Sequence, residues 1–396
     1  MEKIKRIKAI EILNSRSNTT VKIEIASDNF TATAAVPEGK SVGKYEALSL
    51  PAWKAIKNVE EKIAPLLIGK EVNFQLADKT MIELDGTRDK SNLGVNAILG
   101  VSLAIAKLQA KIEQKPLFEF LSQFFLKGYR PGDTDFPFLL MNIVNGGIHA
   151  FGGPDIQEYL IIVKGDSLKD GVFLGARIYQ EMGKFFKGNI GDEGGFVPQT
   201  SNVQLPIEAI SQTVSEKLVR NKIKIGLDLA ASQLFDGKKY NIGEDHFSPE
   251  QLIDLYLRWA NRFEIIYLED PFSENDPNSF TQLKKQISNQ TLVVGDDLTV
   301  TNIERLKEAK EKDLISGIIV KPNQIGTLSE TIEVINFAQK NDIKVIISHR
   351  SGETNDTFIA DLAIASNAWG LKSGAPARGE RVAKYNRLLE IEEIKK

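Results

Sequence analysis

Gly317-Ile318-Ile319-Val320-Lys321 is a short apolar run that ends in one ionisable residue, and the second half of the chain repeats that form. The runs 223–228, 265–269, 292–296, 345–349 and 369–372 end likewise in Asp228, Glu269, Asp296, His349 and Lys372. Helical stretches separate most of them, and successive run ends lie roughly 23 to 41 residues apart, the scale of repeated βα units. The series therefore predicts parallel strands of a β/α barrel, whose C-terminal strand ends converge on one face. Three carboxylates, two lysines and a histidine would then meet at a single mouth. Any one of them has a bland explanation, since an Asp after a strand commonly caps a helix and a Lys there is commonly solvated. Six in series, at the same end of successive strands, point to a site for metal-assisted proton abstraction.

Helix starts support this alternation. Ser248 with Gln251, Thr301 with Glu304 and Thr327 with Glu330 have the spacing of capping boxes, each between one strand end and the next strand. Upstream the pattern changes. From Ile4 to about Ala35 apolar and polar residues alternate, with Ser27-Asp28-Asn29 as a turn, which predicts an antiparallel meander. From Pro51 to about Lys127 the period is helical. Ile56, Val59, Ile63 and Leu67 share a face, and the stretch from Ser91 to Ala106 reads as a buried helix too short for a membrane span. Gly128-Tyr129-Arg130-Pro131-Gly132-Asp133 is the candidate junction, giving an α+β capping domain over 1–132 and a β/α barrel over 133–396.

Bulk properties set outer limits. The 396 residues are 42% hydrophobic and 26% charged, with a formal net charge of −3. No block of one sign suggests generic adhesion to nucleic acid or membrane. The absence of cysteine excludes disulfides and thiolate metal sites. Met1-Glu2-Lys3-Ile4-Lys5-Arg6 lacks the apolar core of a signal peptide, so a cytoplasmic enzyme is expected.

Asp228, Glu269 and Asp296 offer hard oxygen ligands from successive strands, which suit Mg²⁺, with Mn²⁺ as a substitute, better than zinc. Lys321, near a low-dielectric mouth and a cation, would have its neutral form favoured and could act as a base. His149 lies in the glycine-softened Asn145-Gly146-Gly147-Ile148-His149-Ala150, where function and structure account for it equally well. His246 in Glu244-Asp245-His246 reads as an exposed residue of a polar loop. The segment Gly191-Asp192-Glu193-Gly194-Gly195 brings two carboxylates into a flexible loop without a P-loop pattern. Ser348-His349-Arg350-Ser351-Gly352 offers a guanidinium and hydroxyls suited to a phosphate or carboxylate.

With these residues in view the chain resembles the enolase family over nearly its whole length. The motifs are Leu84-Asp85-Gly86-Thr87, Met141-Asn142-Ile143-Val144-Asn145-Gly146-Gly147, the 191–196 loop, Leu268-Glu269-Asp270-Pro271-Phe272, Val294-Gly295-Asp296-Asp297-Leu298, Asn323-Gln324-Ile325-Gly326-Thr327-Leu328, the 348–354 segment and Lys384-Tyr385-Asn386. The resemblance implies an enolase-type barrel whose second strand runs antiparallel, so that Gln157 and Glu158, at the start of a run, would lie at the catalytic face. It implies reversible dehydration of 2-phospho-D-glycerate to phosphoenolpyruvate, with two Mg²⁺ per site. Asp228, Glu269 and Asp296 match the ligands of the first ion, and Ser41 matches a loop ligand of the second. Lys321 matches the base, and Glu193 the acid, supported by Glu158. Lys372 matches a carboxylate-facing lysine, Arg350 and Ser351 match phosphate contacts, and His149, Gln157 and His349 match substrate-pocket residues.

The family also implies a homodimer or higher homo-oligomer. Two departures stand out. The loop Pro37-Glu38-Gly39-Lys40-Ser41-Val42-Gly43 replaces Pro-Ser-Gly-Ala-Ser-Thr-Gly and adds two charges beside the pocket, and Gln233 stands where a glutamate is expected. Alternatives are a related dehydratase acting on another hydroxy acid, or a binding role. For the latter, Lys395-Lys396 resembles lysine ends that engage plasminogen-type partners, although a solvated tail explains it too.

Overall fold

The computed structural model describes residues 2–40, 43, 45–133, 135–217, 219 and 221–395. The expected metal ligand Ser41 and the terminal Lys396 lie outside the described residues.

The N-terminal meander forms as its alternation predicts. Strands β1 (Arg6–Leu13), β2 (Thr19–Ala26) and β3 (Thr31–Ala35) pair antiparallel in chain order. The Ser27 N–H donates to the Phe30 carbonyl at 2.9 Å and the Phe30 N–H to the Ser27 hydroxyl at 3.3 Å, which closes the β2–β3 turn. Val21, Ile23 and Ile25 of β2 are buried beneath the helix Val95–Ile112. That helix is apolar and long enough to cross a membrane, yet it is mostly buried within the protein. Gly100 lets it approach, since a Cβ there would lie 2.6 Å from Ile23 Cγ1. Before it runs one helical stretch, Ala52–Asn58, a π turn Val59–Ile63 and Ala64–Leu67, with Val59, Ile63 and Leu67 buried.

Eight strands then close a barrel. They are β4 (Phe138–Asn145), β5 (Glu158–Val163), β6 (Ile223–Asp228), β9 (Ile265–Glu269), β10 (Leu292–Gly295), β11 (Gly317–Val320), β12 (Lys344–Ser348) and β13 (Gly370–Lys372), which pair in that order and back to β4. The short ribbon β7 (Tyr240–Ile242) and β8 (Asp245–Phe247) interrupts the numbering outside the barrel. All barrel neighbours are parallel except β5, which is antiparallel to both β4 and β6. This is the reversed second strand that the resemblance implies. Inside, Leu140, Leu160, Ile162, Tyr267, Leu292, Val294, Ile319 and Ile346 form their own apolar cluster, so the barrel is plugged and chemistry is left to its rim.

Three local expectations need correction. Thr301 does not cap the helix Ile303–Glu311. Asn302 does, accepting from the N–H groups of Glu304 at 3.0 Å and Arg305 at 3.2 Å. Thr301 instead adopts φ +53° and turns its hydroxyl inward, where it accepts from the Lys321 N–H. Asp245 and His246 belong to the β7–β8 ribbon, not to a loop, although His246 is exposed. Lys395 is not a solvated tail residue, because its amine lies 4.5 Å from the Tyr129 ring centre and donates to the Asp133 carbonyl at 3.0 Å. Ser248 and Gln251 form the full reciprocal capping box.

Candidate active site

Strand register places the first group of acids. Glu158 is opposite Asp228 across β5 and β6, and Asp228 is opposite Glu269 across β6 and β9. Three buried carboxylates therefore stand side by side on the rim. Only the reversal of β5 brings Glu158 there, since it is that strand's first residue. Lys372, closing β13, reaches into this row. Its amine is 2.9 Å from Asp228 Oδ2, 2.8 Å from Glu269 Oε2 and 3.1 Å from Glu158 Oε2. Burial works against the ammonium, but Asp228, Glu158 and Glu269 outweigh it and raise its pKa well above the usual lysine value. Glu269 moves the other way for a carboxyl: burial, with Asp228 beside it, pushes it up to about 8 despite Lys372.

Asp296 follows β10 directly, and Lys321 follows β11. The Lys321 amine bonds to Asp296 Oδ2, and Gln324 Nε2 donates to Asp296 Oδ1 at 3.1 Å. Burial disfavours the Lys321 ammonium, yet the neighbouring Asp296 carboxylate prevails and raises the pKa. That ion pair is one between protein groups alone, whereas the expected neutral amine is that of a lysine with a divalent cation beside it. Asp270 shapes the same corner. Its two carboxylate oxygens accept from the N–H groups of Asp296 at 3.0 Å and Asp297 at 2.7 Å, which fixes the turn after β10.

Do these residues fit a metal ion? Asp228, Glu269 and Asp296 present oxygens from the adjacent strands β6, β9 and β10, and lysine amines already lie against all three. Lining the mouth are seven carboxylates (Glu46, Glu158, Glu193, Asp228, Asp270, Asp296, Asp297) and four cations (Lys40, Lys321, Arg350, Lys372). Buried oxygen donors with excess negative charge suit a hard divalent cation. Further carboxylate oxygens of Asp270, Asp296 and Asp297 gather within 4.8 Å of one another.

On the far side of the mouth, ligand atoms of His149, Glu158 and Glu193 also lie within 4.8 Å of one another. Glu193 rides on the 191–195 loop, which is pinned to β4: Gly195 N–H donates to Asn145 Oδ1 at 3.0 Å and Asn142 Nδ2 to Glu193 Oε2 at 3.0 Å. At Gly191 a Cβ would fall 2.6 Å from Asn145 Cβ, so only glycine permits that approach. Burial and the Glu193 charge drive the Glu158 carboxyl well above its usual range. In Glu193 burial is outweighed, first by His149, and the carboxyl is held well below its usual range. The two carboxyls are thus driven apart, Glu158 upward and Glu193 downward. His149 Nδ1 lies 3.5 Å from Glu193 Oε1, and Gln157 Nε2 donates to Asp228 Oδ2 at 3.2 Å.

The segment after β12 completes the rim. Arg350 is bound by Glu46, at 2.9 Å from Oε2, and by Asn323 Oδ1 at 3.2 Å. The Lys40 N–H donates to the Ser351 hydroxyl at 2.7 Å. The structure therefore brings together every expected site residue that it describes. The motifs include Asn142, Asp270 and Gln324 without giving them a task, and neither Glu46 nor Arg381 stands out in the sequence. Their spacing carries no periodic signal, because each acts on a residue distant in the chain.

Comparison with known proteins agrees with this geometry. Residues 4–121 match the family described as "Enolase, N-terminal domain", and residues 134–395 match "Enolase, C-terminal TIM barrel domain". The chain is 41% identical to the enolase of Sulfurisphaera tokodaii, an alignment covering 98% of this chain and 95% of the relative. It is 41% identical to the enolase of Corynebacterium kroppenstedtii, covering 100% and 96%, and 40% identical to that of Bdellovibrio bacteriovorus, covering 99% and 96%. With a two-part match along most of its length and a barrel rim of this composition, the chain belongs to the enolase family of lyases.

Proposed function

We propose that the protein catalyses the reversible, Mg²⁺-dependent dehydration of 2-phospho-D-glycerate to phosphoenolpyruvate. One observation carries the reading: a base candidate and an acid candidate face one mouth from opposite sides. In the closed order of eight strands, β5 and β11 are four apart either way round, which sets Glu158 across from Lys321. Anti removal of a proton and a hydroxyl needs that separation.

Lys321 takes the α-proton. Its ammonium is held by Asp296, and a divalent cation held by that carboxylate would weaken the contact and favour the neutral amine. Glu193 delivers a proton to the departing hydroxyl, supported by Glu158, whose carboxyl burial and the Glu193 charge push up. Lys372 stays positive among acids and faces the substrate carboxylate. Arg350 and Ser351 bind the phosphate, and His149, Gln157 and His349 line the pocket. Mg²⁺ held by Asp228, Glu269 and Asp296, with Ser41 as a ligand of a second ion, would stabilise the charge that develops on the substrate carboxylate. We propose further that the domains divide between residues 132 and 133, and that the protein is a cytoplasmic homodimer.

The test is conversion of 2-phosphoglycerate followed by ultraviolet absorbance. Turnover with Mg²⁺ that stops with chelator, and that falls by about 10²–10⁴ in Lys321→Ala, is expected. A well-folded wild type that is inactive with Mg²⁺ would overturn the reading and send the search to other hydroxy acids.

A further inference from the structure

Arg381, in the C-terminal helix Gly379–Ile394, is fully buried, and its guanidinium is spent on two loops of the rim. One terminal nitrogen lies 2.5 Å from His349 Nδ1 and 2.5 Å from the Arg350 carbonyl. The other lies 2.7 Å from the Ser351 carbonyl and 3.3 Å from that of Asp192. The Glu380 carboxylate lies 3.4 Å from Nε.

A guanidinium has only donors and does not lose its proton in a protein. The imidazole nitrogen that meets it must therefore present a lone pair. Protonated Nδ1 would set N–H against N–H in a buried place. The ring proton is left to Nε2, which is turned to Glu193 Oε1 at 3.8 Å. We propose that Arg381 is a positioning residue that holds His349 as the neutral, Nε2-protonated tautomer, making it a fixed hydrogen-bond donor on the acid side of the mouth and not a proton carrier.

The electrostatics agree. Burial pushes the His349 pKa down, and Arg381, Lys372 and Lys321 push the same way, against Glu193, so it ends well below the usual value. On this view a single cation reads the rim from behind. It sets the donor that faces Glu193 and, through two carbonyls, the backbone that presents Arg350 and Ser351.

The chain has three histidines, His149, His246 and His349, so ring ¹⁵N signals of histidine-labelled protein are few enough to assign with His349→Gln. Near neutral pH, His349 is expected to show a pyridine-type Nδ1 and a pyrrole-type Nε2. The opposite tautomer, or an imidazolium, would overturn the proposal with no variant of Arg381 needed. In Arg381→Met the preference should relax to a mixture and kcat should fall at least about tenfold. Arg381→Lys, which keeps an obligate donor, should restore both in part. Loss of kcat with the tautomer unchanged would mark Arg381 as merely structural and sink the proposal. The kinetic arm rests on the activity proposed above. An inactive wild type would count against that activity alone, because the spectrum stands without it.

Discussion

Lys321 and Glu193 are expected to separate when the two halves of the reaction are read apart. In deuterated solvent with Mg²⁺, α-proton exchange of 2-phosphoglycerate reports the base, and phosphoenolpyruvate formation reports the acid. Glu193→Gln should retain exchange while losing about 10²–10⁴ in product formation, and Lys321→Ala should lose both. Exchange at the wild-type rate in Lys321→Ala would remove it from the base role. Glu158→Gln, which removes the carboxyl beside Glu193, should resemble Glu193→Gln more than Lys321→Ala. The sequence made these residues legible to different degrees. Lys321 announces itself by ending an apolar run, but its charge state does not, since that depends on where the Asp296 carboxylate points. Glu193 stands out only through family resemblance, because a carboxylate in a glycine-rich loop has many ordinary uses.

At the scale of elements, the loop that departs from the family pattern is tied down by its departures. Glu38 exchanges backbone hydrogen bonds of 2.8 Å with Gly352 in both directions. The Lys40 amine reaches across the mouth to the Ile148 carbonyl and to Asp192, 3.2 Å away, and Arg16 Nε lies 3.4 Å from the same carboxylate. Ile148 and Asp192 directly precede His149 and Glu193. Lys40→Ala should therefore cost about threefold in kcat/KM, a modest effect because the pair is partly exposed, and the cost should shrink at high salt. Asp192→Asn should give a similar loss, and the two changes together little more. Full additivity in steady-state kinetics would show that the pair does not act as one contact. Elements whose role is local were readable: β6 and β9 have the expected ends, since each run stops at a charge. The Thr301 cap was missed by one residue, because Thr301 and Asn302 are both competent caps and only the tertiary demand of the Lys321 N–H distinguishes them.

At the scale of the whole molecule, one buried carboxyl joins the two halves. Asp78, in the helix Phe74–Asp85, accepts at Oδ2 from the Ser329 N–H at 2.9 Å and its hydroxyl at 2.7 Å, beside the start of the helix Leu328–Lys340 on the barrel. Burial, against those serine contacts, pushes its pKa up to about 6. A raised carboxyl keeps its proton longer in the folded state than in the unfolded one. Its contribution is thus present below the unfolded value and lost as pH rises through about 6, with a total on the order of 3 kcal/mol. Asp78→Asn has no such dependence. The melting temperature of the wild type relative to Asp78→Asn should fall between about pH 4 and pH 7. A constant difference would mean that the carboxyl ionises alike in both states.

β4 and β5 pair with little chain between them, whereas β13 pairs with β4 across more than half the sequence. Lys372 arrives on that closing strand and is the cation that gathers Glu158, Asp228 and Glu269. In chain order all three acids precede the cation that faces them. A chain that ends before β13 would lack both the cation that faces these acids and the strand that closes the barrel against β4.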